Sequence, residues 1–262
     1  MYRPNSLTLY LLSLFVWVCP KNTLQAAAPT LDAFYPPGIQ VGKTTEVTTV
    51  GKTSPWPSQV SCSNPKITFK LNPKKKGIYT VTASKDAQAG PCLVRLHNQD
   101  GASKAMIFML GKLPEILETV DKKGNEDNDS NARAQKITSL PATINGRLIK
   151  SGDIDFYRVS LKKGQTLIAH LDSYSMRILM DPYLHLYDSD GSLLVLGNDN
   201  GFNLDLVLII QDAKGKQLKR VDDTAVKTDR DCKLIWSAPA DGKYQLLISD
   251  LFLKAGHAIT FC

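Results

Sequence analysis

The stretch SGDIDFYRVSLKKGQTL (Ser151–Leu167) decides how this chain is read. It opens on two aspartates two apart, Asp153 and Asp155, at the mouth of an alternating run, and it closes on a Lys-x-Gly turn. Alternation with a period of two marks a strand with one buried face. The same grammar recurs along most of the 262 residues: short alternating runs, broken by Gly, Pro, Asn and Asp, with almost no helical periodicity. The fold class that follows is all-β, with two antiparallel β-sandwiches.

Working toward the N-terminus, TEVTTVG, KITFKL, GIYTVTAS, CLVRLHN and KAMIFMLG space out as strands, with turns expected at FYPPGIQVGK and DAQAGPC. Five to seven strands over residues 29–113 suffice for a small Ig-like sandwich. From Leu113 the alternation stops in LPEILETVDKKGNEDNDSNARAQ, so residues 114–136 read as an acidic and polar linker. Strands resume over 137–262, the second sandwich, which holds an internal near-repeat. MDPYLHLYDSDGSLLVLGND (180–199) aligns with LDLVLIIQDAKGKQLKRVDD (204–223) at a constant offset of 24. Each copy is strand, D-x-x-G turn, strand. The Asp accepts backbone hydrogen bonds that set the turn, and the Gly takes the positive φ. These residues are hairpin hardware.

The first 26 residues have a positive start at Arg3, an apolar run from Leu7 to Cys19 and small residues at Ala26–Ala28, the pattern of a secretory signal peptide. Export to an extracytoplasmic location, periplasm or cell surface, follows. Four cysteines remain beyond that segment: Cys62, Cys92, Cys232 and Cys262. In an oxidising compartment an even number favours disulfides. Three pairings are open; Cys62–Cys92 and Cys232–Cys262 keep each bridge inside one sandwich. Removal of the signal leaves 30 basic against 25 acidic residues, with the excess in residues 27–118. A lysine-decorated face resting on an anionic polymer or envelope surface is one reading, and a merely solvated face is the commoner one. No interleaving of basic and aromatic residues points to nucleic acid.

Several elements of the second half stand in a familiar order. G-D-x-D-x-Y at 152–157, K-x-G-Q-T-L at 162–167, D-x-D-G at 188–191 and A-P-A-D-G-x-Y at 238–244 together resemble the bacterial pre-peptidase C-terminal domain. The resemblance covers about half of the chain, and the front half is similar to the Ig-like module that precedes such domains in some secreted bacterial proteins. It implies a jelly-roll-like sandwich that is not itself catalytic, and that in some members binds extracellular polymers or calcium. The calcium-binding members pair an acidic segment before the first strand with the G-D-x-D-x-Y strand mouth. Here that implies a Ca²⁺ site at Glu126, Asn128 and Asp129, with Asp153, Asp155 and Tyr157. A second hairpin before CKLIWSAPADG departs from the family pattern and leaves the sheet order open.

The acid pair also invites a glycosidase reading, because two carboxylates a few ångströms apart are that reaction's equipment. The polar flanks Ser151 and Gly152 argue for wet surroundings and against it. The four histidines are scattered over strands and turns, and no G-x-S-x-G or H-E-x-x-H motif is present. Trp56, between two prolines in SPWPS, reads either as a stacking platform for a sugar or peptide, or as a cap on the sandwich edge. The expected function is a non-catalytic binding or scaffold module for an extracellular or envelope polymer or protein. An accessory or inhibitory segment of a secreted peptidase is the alternative.

Overall fold

The computed structural model describes residues 27–121, 125–173, 175–178, 182–198, 208–211, 217–221, 231–250 and 257–261. The expected signal peptide and Cys262 therefore lie outside the described residues, and no helix among the described residues is long and apolar enough to cross a membrane. The chain is all-β, in two sandwiches.

The first sandwich holds β1 (Ala33–Tyr35), β2 (Gly38–Gln40), β3 (Thr44–Val50), β4 (Gln59–Cys62), β5 (Ile67–Leu71), β6 (Ile78–Ala83), β7 (Gly90–Asn98), β8 (Gly101–Ala102) and β9 (Met106–Gly111). Its sheets run β1-β3-β6-β5 and β2-β9-β7-β4. Leu31, Phe34, Val47, Val81, Val94, Leu96 and Phe108 fill the space between them, all essentially inaccessible. The alternation seen in the sequence is the alternation of burial along β6, β7 and β9. One expected turn is different: FYPPG contains strands on both sides of its prolines. Proline has no N–H to continue a ladder, so the chain leaves the first sheet after Tyr35 and enters the second at Gly38, alongside Met109.

The second sandwich holds β10 (Glu115–Leu117), β11 (Gln135–Lys136), β12 (Thr143–Leu148), β13 (Ile154–Leu161), β14 (Thr166–Asp172), β15 (Pro182–Tyr187), β16 (Leu193–Asn198), β17 (Leu208–Gln211), β18 (Gln217–Val221), β19 (Cys232–Ser237), β20 (Gly242–Asp250) and β21 (His257–Phe261). Its sheets run β10-β12-β21-β14-β19 and β11-β13-β20-β15-β16. With the edge strands β10 and β11 set aside, β12–β16 and β19–β21 form the jelly-roll order, in which each of the first strands pairs with a last one. Tyr157, Val159, Leu171, Leu184, Leu186, Leu234, Trp236 and Ile248 line its core.

Over the described residues the strand pairing of the two copies follows the repeat position for position. β15 and β16 pair through His185–Leu196 with a register shift between Leu186 and Tyr187; β17 and β18 pair through Ile209–Arg220 with a shift between Ile210 and Gln211. In the first copy, Asp188 Oδ1 accepts from the amides of Asp190 and Ser192, and Gly191 sits at φ +85°. The second copy forms a two-stranded sheet of its own between the fifth and sixth jelly-roll strands. It is an insertion, and it leaves the sheet order intact.

The segment read as a linker is laid onto the second sandwich. β10 runs parallel to β12 at the edge of one sheet, and β11 runs parallel to β13 at the edge of the other. Between them the chain crosses the open side of the sandwich, anchored where Phe156 N–H donates to the Asn128 carbonyl (2.9 Å) and Glu118 N–H donates to that of Asn145 (2.9 Å). Two edges that would otherwise expose unpaired backbone are covered. That crossing brings the acidic segment against the mouth of β13.

Candidate metal site

Asp153 begins in a turn. Gly152 takes φ +76°, and Asp153 Oδ2 accepts from the amides of Ile149 (2.6 Å) and Lys150 (3.4 Å). One oxygen of Asp153 thus serves to fix an ordinary turn. The other, Oδ1, takes no hydrogen bond and has Lys150 Nζ at 3.3 Å as an ion-pair partner. Asp155, two residues on, points to the same side of β13, as extended geometry requires, and is fully buried at 0% exposure.

The crossing segment supplies the rest. One oxygen each of Glu126, Asp129 and Asp153 lie within 4.8 Å of one another, and so do oxygens of Glu118, Glu126 and Asp155. Glu126 belongs to both groups and joins them into one corner. Asn128, 1% exposed, donates through Nδ2 to Glu118 Oε1 (3.0 Å). Tyr157 O–H, wholly buried, donates to the same oxygen (3.2 Å) and stands 3.5 Å from Asp155 Oδ2. Glu118 Oε2 accepts from Arg147 N–H (3.1 Å), and the Arg147 guanidinium lies 4.4 Å over the Tyr35 ring of the first sandwich.

Six oxygens in this corner are buried and accept no hydrogen bond: Glu126 Oε1 and Oε2, Asn128 Oδ1, Asp129 Oδ1, Asp153 Oδ1 and Asp155 Oδ1. Buried polar atoms are almost always paired, and of these six only Asp153 Oδ1 has even an ion-pair partner, so the cluster demands an explanation. Electrostatics makes the same point. Burial first, and then the Asp153, Glu118 and Asp129 carboxylates, push Glu126 up to about 8. Burial, Glu118 and Glu126 hold Asp155 well above the usual carboxylate range, and burial raises Glu118. Asp153 is lowered: burial opposes its charge, but the Glu126 contact, the Ile149 amide and Lys150 more than offset this.

Set against the sequence, Glu126, Asp129, Asp153 and Asp155 are gathered into one corner, and Asn128 is hydrogen-bonded to it. Tyr157 stands behind the carboxylates as a donor. Asp127, where the related pattern has proline, points outward to Arg133 (2.7 Å). Glu118 is the residue that sequence reasoning missed. It lies eight residues ahead of the acidic segment, in LPEILETV, and its only signal was an acid inside an otherwise apolar triplet pattern. The expectation of wet surroundings for Asp153 and Asp155 is overturned, because the crossing segment roofs them.

The remaining site candidates fall elsewhere. Trp56 packs against the first core and against the Tyr79 ring (5.9 Å between centroids), half-buried. Trp56→Ala should therefore destabilise the chain by about 1–3 kcal/mol through lost packing, read as a fall in denaturant midpoint. An unchanged midpoint would return Trp56 to the role of platform. Cys62 and Cys92 lie on the paired strands β4 and β7, in contact as thiols, with no bridge formed between them; Cys232 is buried in β19. His170, Asp172 and Asp231 also approach one another. There Asp231 accepts from the amides of Ser173 (2.8 Å) and Ser175 (3.2 Å), tying down the end of β14.

The fold and the site define a class: an all-β two-sandwich chain with a buried carboxylate corner where its connecting segment crosses the second sandwich. No protein-family model matches the chain, and none of the curated proteins is similar to it. Among solved structures, it is similar to the pre-peptidase C-terminal domain of a collagenase from Bacillus anthracis, with 15% identity, a TM-score of 0.33, and coverage of 49% of this chain and 91% of that one. It is also similar to SGBP-B from a complex xyloglucan utilization locus in Bacteroides uniformis, with 11% identity, a TM-score of 0.23, and coverage of 90% and 71%. At these TM-scores neither likeness assigns a ligand or an activity.

Proposed function

We propose that this chain is an exported, non-catalytic binding module whose second sandwich is of the pre-peptidase C-terminal kind and is closed by a calcium ion. The observation that carries the calcium reading is the cluster of buried oxygens that accept no hydrogen bond, five with no partner among the described residues and Asp153 Oδ1 held only by its ion pair with Lys150. Calcium takes six to eight hard oxygen ligands, and the corner offers carboxylates and an amide carbonyl with no nitrogen or sulfur ligand, which disfavours transition metals. Glu118, Glu126 and Asp155 would hold the ion, with Asn128 as the neutral ligand and the Asp129 and Asp153 carboxylates beside it. Tyr157 and the Arg147 amide would fix Glu118 and Asp155 in place. Bound there, calcium supplies charge neutralisation and holds the crossing segment on the sandwich.

The Ig-like reading of the first sandwich is supported by its strand orders. β1-β3-β6-β5 and β2-β9-β7-β4 match the ABED and GFC sheets of that fold, with β1 and β2 as a split first strand. Against catalysis stands access. A raised carboxyl beside a lowered one is how an acid–base pair looks, but Asp155 has no exposed surface for a substrate to reach.

The binding role is tested by co-sedimentation of the folded chain with insoluble extracellular polysaccharide and with fibrous protein, with and without calcium. Retention on one of them supports the reading. Passage through all of them, together with turnover in a hydrolase panel that Asp155→Asn abolishes, would replace it with an enzyme.

A further inference from the structure

The acidic corner already contains a cation of its own. Lys150 Nζ lies 2.5 Å from Asp129 Oδ2 and 3.3 Å from Asp153 Oδ1, so its ammonium sits on two of the three carboxylates of the Glu126–Asp129–Asp153 group. Its backbone is held for that task. The Lys150 carbonyl accepts from Asp153 N–H (3.2 Å), and the Ile149 and Lys150 amides cap Asp153 Oδ2, so the turn returns the lysine stem over the acid that follows it. Among the described residues the Glu118–Glu126–Asp155 group has no ion-pair partner: Asp155 is completely buried with Oδ1 accepting no hydrogen bond, and neither oxygen of Glu126 accepts one. The corner is thus divided into an outer half neutralised by a tethered ammonium and an inner half whose carboxylates form no ion pair among the described residues.

We propose that Lys150 acts as a built-in competitor that closes the outer half to metal, so that the chain takes one divalent ion, on the inner Glu118–Glu126–Asp155 group. This rests on the calcium reading above. An ion bonded to Asp129 and Asp153 would stand at about 2.3–2.6 Å from carboxylate oxygens that the ammonium already contacts. Two cations that close repel strongly in a partly buried site. Lysine suits the role because its charge is a compact point on a flexible stem. Because its side chain is about half exposed, removing its charge leaves the core untouched.

The experiment is calcium titration of the whole chain by calorimetry, with the bound ions counted by native mass spectrometry. It compares the unmodified protein with Lys150→Met, which keeps the stem, and Lys150→Arg, which keeps the charge. The expected result is one ion for the unmodified chain and for Lys150→Arg. Lys150→Met should take two, with the first bound about tenfold more tightly. Two ions on the unmodified chain, or a Lys150→Met titration that superimposes on it, overturns the proposal while leaving the calcium reading in place. Absence of bound calcium in all three sinks both. The ion count on the unmodified chain needs no variant to fold, so the proposal is exposed to refutation on that measurement alone.

Discussion

Millimolar calcium raises the thermal midpoint of the metal-free chain by about 5–10 °C, and Asp155→Asn removes most of that rise. The size follows from linkage. A ligand present at about a hundred times its Kd adds about 2.7 kcal/mol to a fold that alone can bind it, and 1 kcal/mol shifts a chain of this size by about 2–4 °C. The variant carries a second, opposite sign. Asp155 is fully buried, and Glu118 and Glu126 crowd it, so in the metal-free state its charge is a liability. An isosteric amide relieves that, and the metal-free midpoint of Asp155→Asn should lie at or above that of the unmodified chain. A variant that is merely damaged would fall in both conditions. Magnesium should give a smaller rise, since it demands six near-ideal ligands and keeps its water. A flat calorimetric trace with an unmoved midpoint at millimolar calcium removes the site.

The metal-free chain loses stability as pH rises from about 4.5 to about 8, and saturating calcium abolishes that loss. Glu126 moves from an ordinary 4.5 to about 8 in the fold, because burial and its carboxylate neighbours disfavour the charge. An acid whose folded pKa lies above its unfolded one binds more protons when folded. Its stabilising effect is complete below the unfolded value and is lost as pH climbs through the folded one. Asp155 and Glu118 are raised and act in the same direction. Asp153 is lowered, so its contribution is lost only as pH falls below the ordinary 3.8, outside this window. Calcium replaces the protons, so its binding should release protons at pH 7 and tighten up to about pH 8. The check is a series of melts at fixed ionic strength, with titrations in two buffers of different ionisation heat. Metal-free stability that rises across this window, or calcium binding without proton release, contradicts the arrangement of charges described here.

Much of this architecture was legible because it depends on neighbours in sequence. Alternation in KITFKL, GIYTVTAS and TLIAHLD gave β5, β6 and β14, because a pleat puts successive side chains on opposite faces. The duplicated hairpin was visible as a 24-residue offset because turn chemistry is local: an Asp that accepts from amides two and four residues on, and a Gly at positive φ. The Asp153–Asp155 pair was legible on the same ground, as i and i+2 on one strand.

Three features escaped that reasoning, and each is a long-range event. The strands on either side of Pro36 and Pro37 are three residues each, too short for any periodicity, and only their partners Thr49 and Leu110 define them. The acidic segment lacks alternation because β10 and β11 lie parallel on sheet edges rather than across a buried face, so their sequence need not alternate. Glu118 joins a site whose other members are 8 to 37 residues away through the ladder between β10 and β12, which no local pattern encodes.

The amino-acid sequence by itself determined the fold class, the turns and the strand mouth that carries two acids, since each depends on side chains within a few residues of one another. Only the tertiary structure decided that the acids are dry, that Glu118 belongs with them and that Lys150 caps half of them. Burial and counter-charge are properties of what the chain folds back upon, here a segment that closes two sheet edges at once.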